Sequence, residues 1–430
     1  MKLLCLSNGH GEDAIALRIL TALKSLDHPP DIAALPLVGE GGTYLRTQIP
    51  VVGPVKAMPS GGFIYMDGKQ LARDVQGGLL QLTLAQLKTV RQWGRSGGCI
   101  LAVGDIVPLL FAWLSGVDYA FVGTAKSEYY LRDEQGLVPR LSWFDHLENW
   151  SGSVYLPWER WLMSQPRCKA VIPRDRLTAQ ILRRWPIPAH DLGNPMMDGL
   201  ESTGHLTIPP FNSDNDTEAL KILLLPGSRA PEAYQNWQLI LRAIASVQQL
   251  ISDRPLVFLA AIAPSLNLKP FLEFLPPKQW HPVGNASQSA SHTSVPRQVW
   301  YRGQANSRHE VGQPPGHLIL TQTAFSDCLH QADVAIALAG TATEQFVGLG
   351  KPAITIPGNG PQFTPAFAEA QTRLLGPSVI MVSDAAMVGG AIAHLLSDPE
   401  RRRRIYENGI HRMGRPGAAE RIAECLMQVF

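Results

Sequence analysis

Residues Leu338–Gln362 read LAGTATEQFVGLGKPAITIPGNGPQ, and the order of residue types along this stretch decides the fold. The apolar run from Val334 to Leu338 predicts a buried strand. It breaks at Gly340; small and hydroxyl residues follow, and Glu344 comes one turn later. A short helix is expected to end near Gly348, before a second apolar strand over Pro352–Ile356 that stops at Pro357. Strand, glycine turn and helix N-terminus together make a seat for an anion, because first-turn amides and the helix dipole both favour negative charge. Glu344 is spaced to accept hydrogen bonds from vicinal hydroxyls, as an acidic residue does with a ribose. Such a unit binds a nucleotide.

The same alternation runs through the rest of the chain. At 430 residues it exceeds one ordinary core, so two domains are expected. Strands are predicted over Lys2–Leu6, Asp31–Leu35, Val51–Val52, Cys99–Val103, Tyr119–Val122, Lys169–Ile172 and Asp191–Leu192, with helical stretches between them that include Gln70–Arg95. A polar, proline-bearing segment follows, and strands resume over Ala219–Leu225, Leu256–Ala261 and Val379–Val382. The fold class is α/β, two doubly wound, Rossmann-like parallel sheets facing a central cleft. The expected division is an N-terminal domain over 1–200, a linker over 201–218 and a C-terminal domain over 219–430. Residues 276–316 are read as a mobile insertion, being rich in Ser, Gln, Asn, His and Pro. The last helices, Pro399–His411 and Ala418–Val429, either close the second domain or cross back to the first.

Composition sets limits. The chain is 45% apolar and 17% charged, a soluble globular balance. Its 38 basic and 36 acidic residues leave a net charge of +2, which excludes a strong electrostatic footprint for nucleic acid. Five cysteines are scattered without metal-ligand spacing, as in a reduced cytoplasmic protein. The start, MKLLCLSNGHGED, turns polar too early for a signal peptide, and Val107–Val117 is too short for a membrane span. A cytoplasmic protein is expected, soluble or peripheral on the inner face of a membrane. Trp143, Trp150, Trp158 and Trp161 cluster near Tyr155; they either dip into a lipid interface or form a packed cluster. Arg401–Arg404 either meets anionic headgroups or is a solvated helix face.

Ligands of doubly wound sheets bind at the carboxyl ends of strands, so the loops after strands carry the chemistry. Gly227, Ser228 and Arg229 sit between a strand and a helix, where turn amides and a guanidinium clasp a diphosphate; the alternative is a plain turn with a surface arginine. Gly340, Thr341 and Thr343 approach the same phosphates, or a threonine simply caps the helix. His10, between Gly9 and Gly11, is an imidazole able to titrate near neutrality. Asp105 ends the Cys99–Val103 strand and is either a rival base or the N-cap of the next helix. Glu12 and Asp13 orient His10 or cap their own helix. Asp214-Asn215-Asp216 matches a metal-holding DxD pattern but lies in the polar linker, so no metal is assigned to it.

Taken in order, LPGSR (Leu225–Arg229) with Glu232, AGTATEQ (Ala339–Gln345), GNPMMD (Gly193–Asp198) and AVGD (Ala102–Asp105) resemble the lipid A disaccharide synthase group of glycosyltransferases. The loop SNGHGED is more similar to the transferases that glycosylate lipid-linked muramyl peptides and diacylglycerol. The resemblance implies the two-domain GT-B fold, a UDP-sugar on the C-terminal domain and a lipid-linked acceptor on the N-terminal one. It implies that Asn8, Gly9, Gly11 and Asn194 face the acceptor and that Gln362 contacts the donor sugar. A base is then needed to take the acceptor's hydroxyl proton, either His10 or Asp105. Arg229 and helix dipoles would stabilise the leaving UDP without a metal or other cofactor. A UDP-sugar 2-epimerase-like enzyme and a non-catalytic nucleotide-sugar binder remain as alternatives.

Overall fold

The computed structural model describes residues 1–56, 79–138, 150–206, 208, 218–277, 280–282, 298–303, 316–358, 360 and 363–430. The chain divides into two compact units, Met1–Asp198 with Gly414–Phe430, and Gly199–Met413. No helix among the described residues is long and apolar enough to cross a membrane.

The first unit contains β1 (Lys2–Ser7), β2 (Asp31–Pro36), β3 (Cys99–Gly104), β4 (Tyr119–Gly123), a small antiparallel pair β5 (Arg132–Asp133) and β6 (Gly136–Leu137), and β7 (Cys168–Ile172). The main sheet is parallel in the order β2-β1-β3-β4-β7. Its strands are buried on both faces, which is why they read as continuous apolar runs. One face packs Leu4, Leu6, Ile100 and Phe121, and the other Leu3, Cys5, Leu101 and Ala120. The last helix, Ala418–Val429, lays Ala419, Ile422, Ala423 and Leu426 into the second of these clusters, one apolar stripe at helical spacing. Asp198 fixes its start, accepting the N–H groups of Gly417 (2.6 Å), Ala418 (3.1 Å) and Ala419 (2.7 Å).

The second unit contains β8 (Leu220–Leu225), β9 (Leu256–Ala261), β10 (Trp280–Pro282), β11 (Gln298–Gly303), β12 (Gly316–Thr321), β13 (Val334–Ala337), β14 (Ala353–Thr355) and β15 (Val379–Met381). They form one sheet in the order β10-β11-β12-β9-β8-β13-β14-β15. The strands from β12 to β15 pair in parallel, whereas β10 and β11 are antiparallel. Helix Glu232–Leu250 covers the sheet through the fully buried Trp237, Ile240 and Ile244.

Several expectations need correction. Within 276–316 the described residues carry strands β10 and β11, which extend the sheet from β12, while 278–279, 283–297 and 304–315 lie outside the described residues. Polar sequence on both sides hides the short β-prone run QVWYR. Strand Val51–Val52 is only an isolated bridge from Val51 to Ala34, and the one sought at Asp191–Leu192 is a bridge from Ala189 to Val171. Of the Gln70–Arg95 stretch, Leu79–Arg95 is helical and 70–78 lies outside the described residues.

The segment entering the second unit is tied down by one carboxylate. Asp327 accepts from Ser202 Oγ (2.6 Å), Thr203 N (2.6 Å), Thr203 Oγ1 (2.8 Å), Gly204 N (2.9 Å), His205 N (2.9 Å) and Leu206 N (3.1 Å). Part of the polar linker is thus an ordered turn around a buried charge.

Candidate functional site

Among the parallel strands of each unit the order reverses at one point, and the loops at that reversal lie side by side. In the second unit the reversal is between β8 and β13. Leu338 N donates to Leu225 O at 2.8 Å, so the Pro226–Arg229 turn and the Leu338–Gly340 turn leave the sheet together. Gly227 has φ +102°, and a Cβ there would stand 3.4 Å from Leu338 O. Only glycine takes that conformation cheaply, so the PGSR turn hugs its neighbour because residue 227 has no side chain.

Two residues of helix Glu232–Leu250 lock three loops into one edge. Asn236 donates through Nδ2 to Pro226 O (3.0 Å) and Leu338 O (3.5 Å), and its Oδ1 is buried without a hydrogen-bond partner. Glu232 accepts the N–H of Phe363 at 2.7 Å. A Cβ on Gly360 would collide with the Glu232 carboxylate, and one on Gly358 would reach within 2.8 Å of Phe363 O. Both glycines of GNGP are therefore needed for the loop to close on Glu232. The sequence pattern LPGSR exposed Glu232, but Asn236 carried no signal beyond a polar residue on an otherwise apolar helix stripe.

Gly340 is the N-cap of helix Thr341–Gly348, and no side chain caps it. Thr341 is exposed on the first turn, while Glu344 stands in the same turn and is buried. Thr343 lies differently from its expected role. It is fully buried and its hydroxyl donates to Ala339 O at 2.6 Å, so Thr341 is the threonine that faces outward. Gln371 braces the turn from helix Pro365–Leu375, donating to Ala339 O (3.1 Å) and Gly340 O (3.3 Å). Ser228 and Arg229 are exposed on the neighbouring turn. Gly227, Ser228, Arg229, Gly340, Thr341 and Glu344 thus occupy one edge of this unit, whereas Gln362 lies outside the described residues.

In the first unit the reversal is between β1 and β3. Helix His10–Lys24 begins directly after Gly9, whose φ of +132° turns the chain out of β1. His10 opens the helix, although its side chain is not among the described groups; Gly11 follows in the first turn. Asn8 donates through Nδ2 to Asp105 Oδ2 at 3.0 Å, joining the two loops. Asp105 caps helix Ile106–Leu114, its Oδ1 accepting the Val107 N–H at 2.8 Å. Burial raises the Asp105 pKa, while the bonds from Val107 and Asn8 pull it back.

The two acidic residues of the loop sit in different surroundings. Asp13 is buried, bonded by Ser7 Oγ at 2.5 Å beside the Tyr44 hydroxyl, and so stitches the end of β1 to helix Gly42–Arg46. Glu12 instead lies against Gly104, with its pKa raised chiefly by burial. Asn194 is buried and caps the turn Pro195–Met197, accepting Met196 N at 3.0 Å. The GNPMMD motif is thereby a local clamp, ending in the Asp198 contacts to the last helix.

The tryptophan stretch is divided. Trp143 and Asp214-Asn215-Asp216 lie outside the described residues. Trp150, Trp158 and Trp161 are exposed by 81%, 53% and 51%, with Trp161 set edge-on to Trp113. Leu110, on the helix that Asp105 caps, is also exposed. Arg403 pairs with Glu400 and Glu407 along a solvated helix face.

No family model matches the sequence, and no curated protein matches it either. Solved structures do match over their whole length. One is MurG from Acinetobacter baumannii, with TM-score 0.53 and 12% identity over 99% of each chain. Another is the UDP-GlcNAc 2-epimerase of Methanocaldococcus jannaschii, with TM-score 0.52 and 14% identity over 100% of both chains. The Neisseria meningitidis UDP-GlcNAc 2-epimerase bound to UDP-GlcNAc matches with TM-score 0.51 and 14% identity, again over 100% of both. These likenesses establish the architecture: two Rossmann-like parallel-sheet domains of the GT-B type.

Proposed function

We propose that this protein is a metal-independent glycosyltransferase that moves a sugar from a UDP-sugar to a hydroxyl of a lipid-linked acceptor. The observation that carries the reading is the edge of the second unit where Asn236 and Glu232 hold three loops together. An uncapped helix N-terminus and a turn bearing Arg229 supply the donors a nucleotide diphosphate requires, and the first-turn carboxylate supplies an acceptor for its ribose. Amides of the Gly340 and Gly227 turns hold the phosphates, Arg229 balances the charge of the leaving UDP, and Glu344 accepts from the ribose hydroxyls. Gln362 contacts the sugar. The loops at Asn8–Gly11 and Asp105 in the first unit take the acceptor and supply the base, for which His10 and Asp105 are the sequence candidates. A relative of lipid A disaccharide synthase, working in the cytoplasm at the inner face of a membrane, is the specific form that the ordered motifs favour. The exposed tryptophans support a lipid-borne acceptor.

The experiment is incubation with a panel of UDP-sugars and membrane lipid extract, following UDP release and new glycolipids by mass. Release that appears only with extract supports the proposal; absence of UDP binding, or unchanged binding in Arg229→Ala, removes the donor assignment. A second reading is a UDP-sugar 2-epimerase-like enzyme, since structures of that description share the fold as fully as the transferase does. It requires solvent hydrogen to exchange into C2 of the sugar with no acceptor present. UDP binding without either activity would leave a nucleotide-sugar binder.

A further inference from the structure

We infer that Glu12 takes the proton from the acceptor hydroxyl, with Asn8 and Asp105 as its positioning residues; the inference rests on the transferase reading above. The sequence offers His10 and Asp105 as the base, and a third group, Glu12, stands beside the Gly104-Asp105 turn. Asp105 has both carboxylate oxygens engaged, one by the Val107 N–H at 2.8 Å and the other by the Asn8 amide at 3.0 Å. It holds its helix and its neighbouring loop in place. Glu12 stands in the first turn of helix His10–Lys24, and its Cγ lies where a Cβ on Gly104 would come within 3.2 Å. Gly104 has φ +133°, so the position next to Asp105 excludes a side chain on both counts, and the stem of Glu12 uses that space.

Asn8 borders the same space beside Gly104. It is only 4% exposed, and with Nδ2 spent on Asp105 its Oδ1 is buried without a hydrogen-bond partner. That unmet amide oxygen beside Asp105 is a buried acceptor, which costs free energy until a donor arrives. A proton taken up by the cluster supplies that donor. Asp105 and Asp13 are the charges acting on Glu12, Lys126 and Glu159 act on Asp105, and His10 belongs to the same turn. Burial is the main cause that raises the Glu12 pKa; its own backbone N–H and the Thr124 hydroxyl pull it back, and the charges of Asp105 and Asp13 raise it again. A carboxylate moved toward the working pH is a better base than an ordinary one.

In the step, the acceptor O–H proton passes to a Glu12 oxygen as the acceptor oxygen bonds to the anomeric carbon of the donor. The bond from that carbon to the β-phosphate oxygen breaks, and its electron pair leaves with UDP. Glu12 then returns the proton to solvent.

The test measures acceptor-dependent UDP release against pH in the full chain, for wild type, Glu12→Gln, Glu12→Asp and Asp105→Asn. UDP titration calorimetry and thermal melting verify that each variant is folded. Glu12→Gln is expected to lower kcat/KM by about 100-fold or more, the usual worth of a general base, with UDP affinity unchanged. Glu12→Asp recovers part of the loss. Asp105→Asn lowers turnover only in part, and the acid limb of the turnover that remains moves to lower pH, because Glu12 loses a neighbouring negative charge. A purely structural Asp105 would not move that limb. Full activity with an unchanged acid limb in Glu12→Gln overturns the assignment, as does abolition of turnover in Asp105→Asn beside an active Glu12→Gln. A wild-type protein that releases no UDP with any acceptor removes the transferase reading and Glu12 with it, an outcome distinct from an active wild type with an active Glu12→Gln.

Discussion

Glu232 accepts the backbone N–H of Phe363 at 2.7 Å, a bond between residues 131 positions apart that fastens the GNGP loop to the start of helix Glu232–Leu250. A helix-start carboxylate is usually read as a partner for its own helix dipole. Here it shapes a loop that the donor reading places against the sugar. Glu232→Ala leaves a buried N–H unmet, which costs about 1–3 kcal/mol, and frees the loop. The variant is expected to melt earlier and to bind UDP-sugar less tightly by calorimetry, while Glu232→Gln, which keeps an acceptor oxygen, lies near wild type. A lowered melting temperature with unchanged affinity would separate this loop from the donor site.

Gly227 offers a second, independent probe of the same edge. Its φ of +102° is foreign to residues with a Cβ, and the new methyl would also press on Leu338 O at 3.4 Å. Gly227→Ala is expected to cost about 1–3 kcal/mol in local strain. Relief comes by tilting the Pro226–Arg229 turn away from the Gly340 turn, so UDP affinity falls more than global stability does. Equal losses in both would mean that the turn is structural only.

Much of this was legible from the order of residue types. The runs at Val334–Leu338 and Pro352–Ile356 gave strands β13 and β14 because strands buried on both faces need apolar side chains throughout. Gly340 and Glu344 fell where a strand-turn-helix unit requires them. What stayed hidden depends on partners distant in sequence. Asp327 reads as an ordinary helix acid, yet it gathers Ser202–Leu206. Asp198 ends the GNPMMD motif and caps a helix that begins near residue 418, more than 200 positions away. Thr343 and Thr341 are indistinguishable as letters, and only the helix phase sends one inward to Ala339. Strand β11 stays hidden because a β-prone run of five residues does not outweigh polar flanks on either side.

Asp327 makes the pH dependence of the second unit testable. Burial alone would raise its pKa, but the hydroxyls of Ser202 and Thr203 and the amides of Thr203 and Gly204 outweigh that and hold it well below the usual carboxylate range. The folded protein therefore keeps this group ionised where the unfolded chain would bind a proton. The stabilisation is fully present above the unfolded value, about 3.9 for Asp, and is lost as pH falls from there through the folded value. Urea melts across that range are expected to show a steep acid loss in wild type and a shallower one in Asp327→Asn. At neutral pH the same variant should be less stable, with several charge-assisted bonds weakened at about 1.5–3 kcal/mol each before relaxation. Identical acid slopes for the two proteins would exclude Asp327 as the source.

The exposed tryptophans give the last prediction, on the acceptor's side of the proposal. Trp158 and Trp161 lie on helix Pro157–Met163 and Trp150 just precedes it, all more than half exposed. Large aromatic surface left in water gains free energy on entering a lipid interface, where an indole keeps its N–H wet. Trp161 leans on Trp113 and contributes to packing, so Trp158 is the cleaner probe. Trp158→Ser is expected to change folding stability by no more than about 0.5 kcal/mol, as exposed substitutions do. It should lower co-sedimentation with phospholipid vesicles and raise the apparent KM for a lipid-borne acceptor, leaving UDP affinity untouched. Wild-type protein that stays in the supernatant with both neutral and anionic vesicles would assign these tryptophans to some other surface contact and leave the acceptor to be delivered from solution.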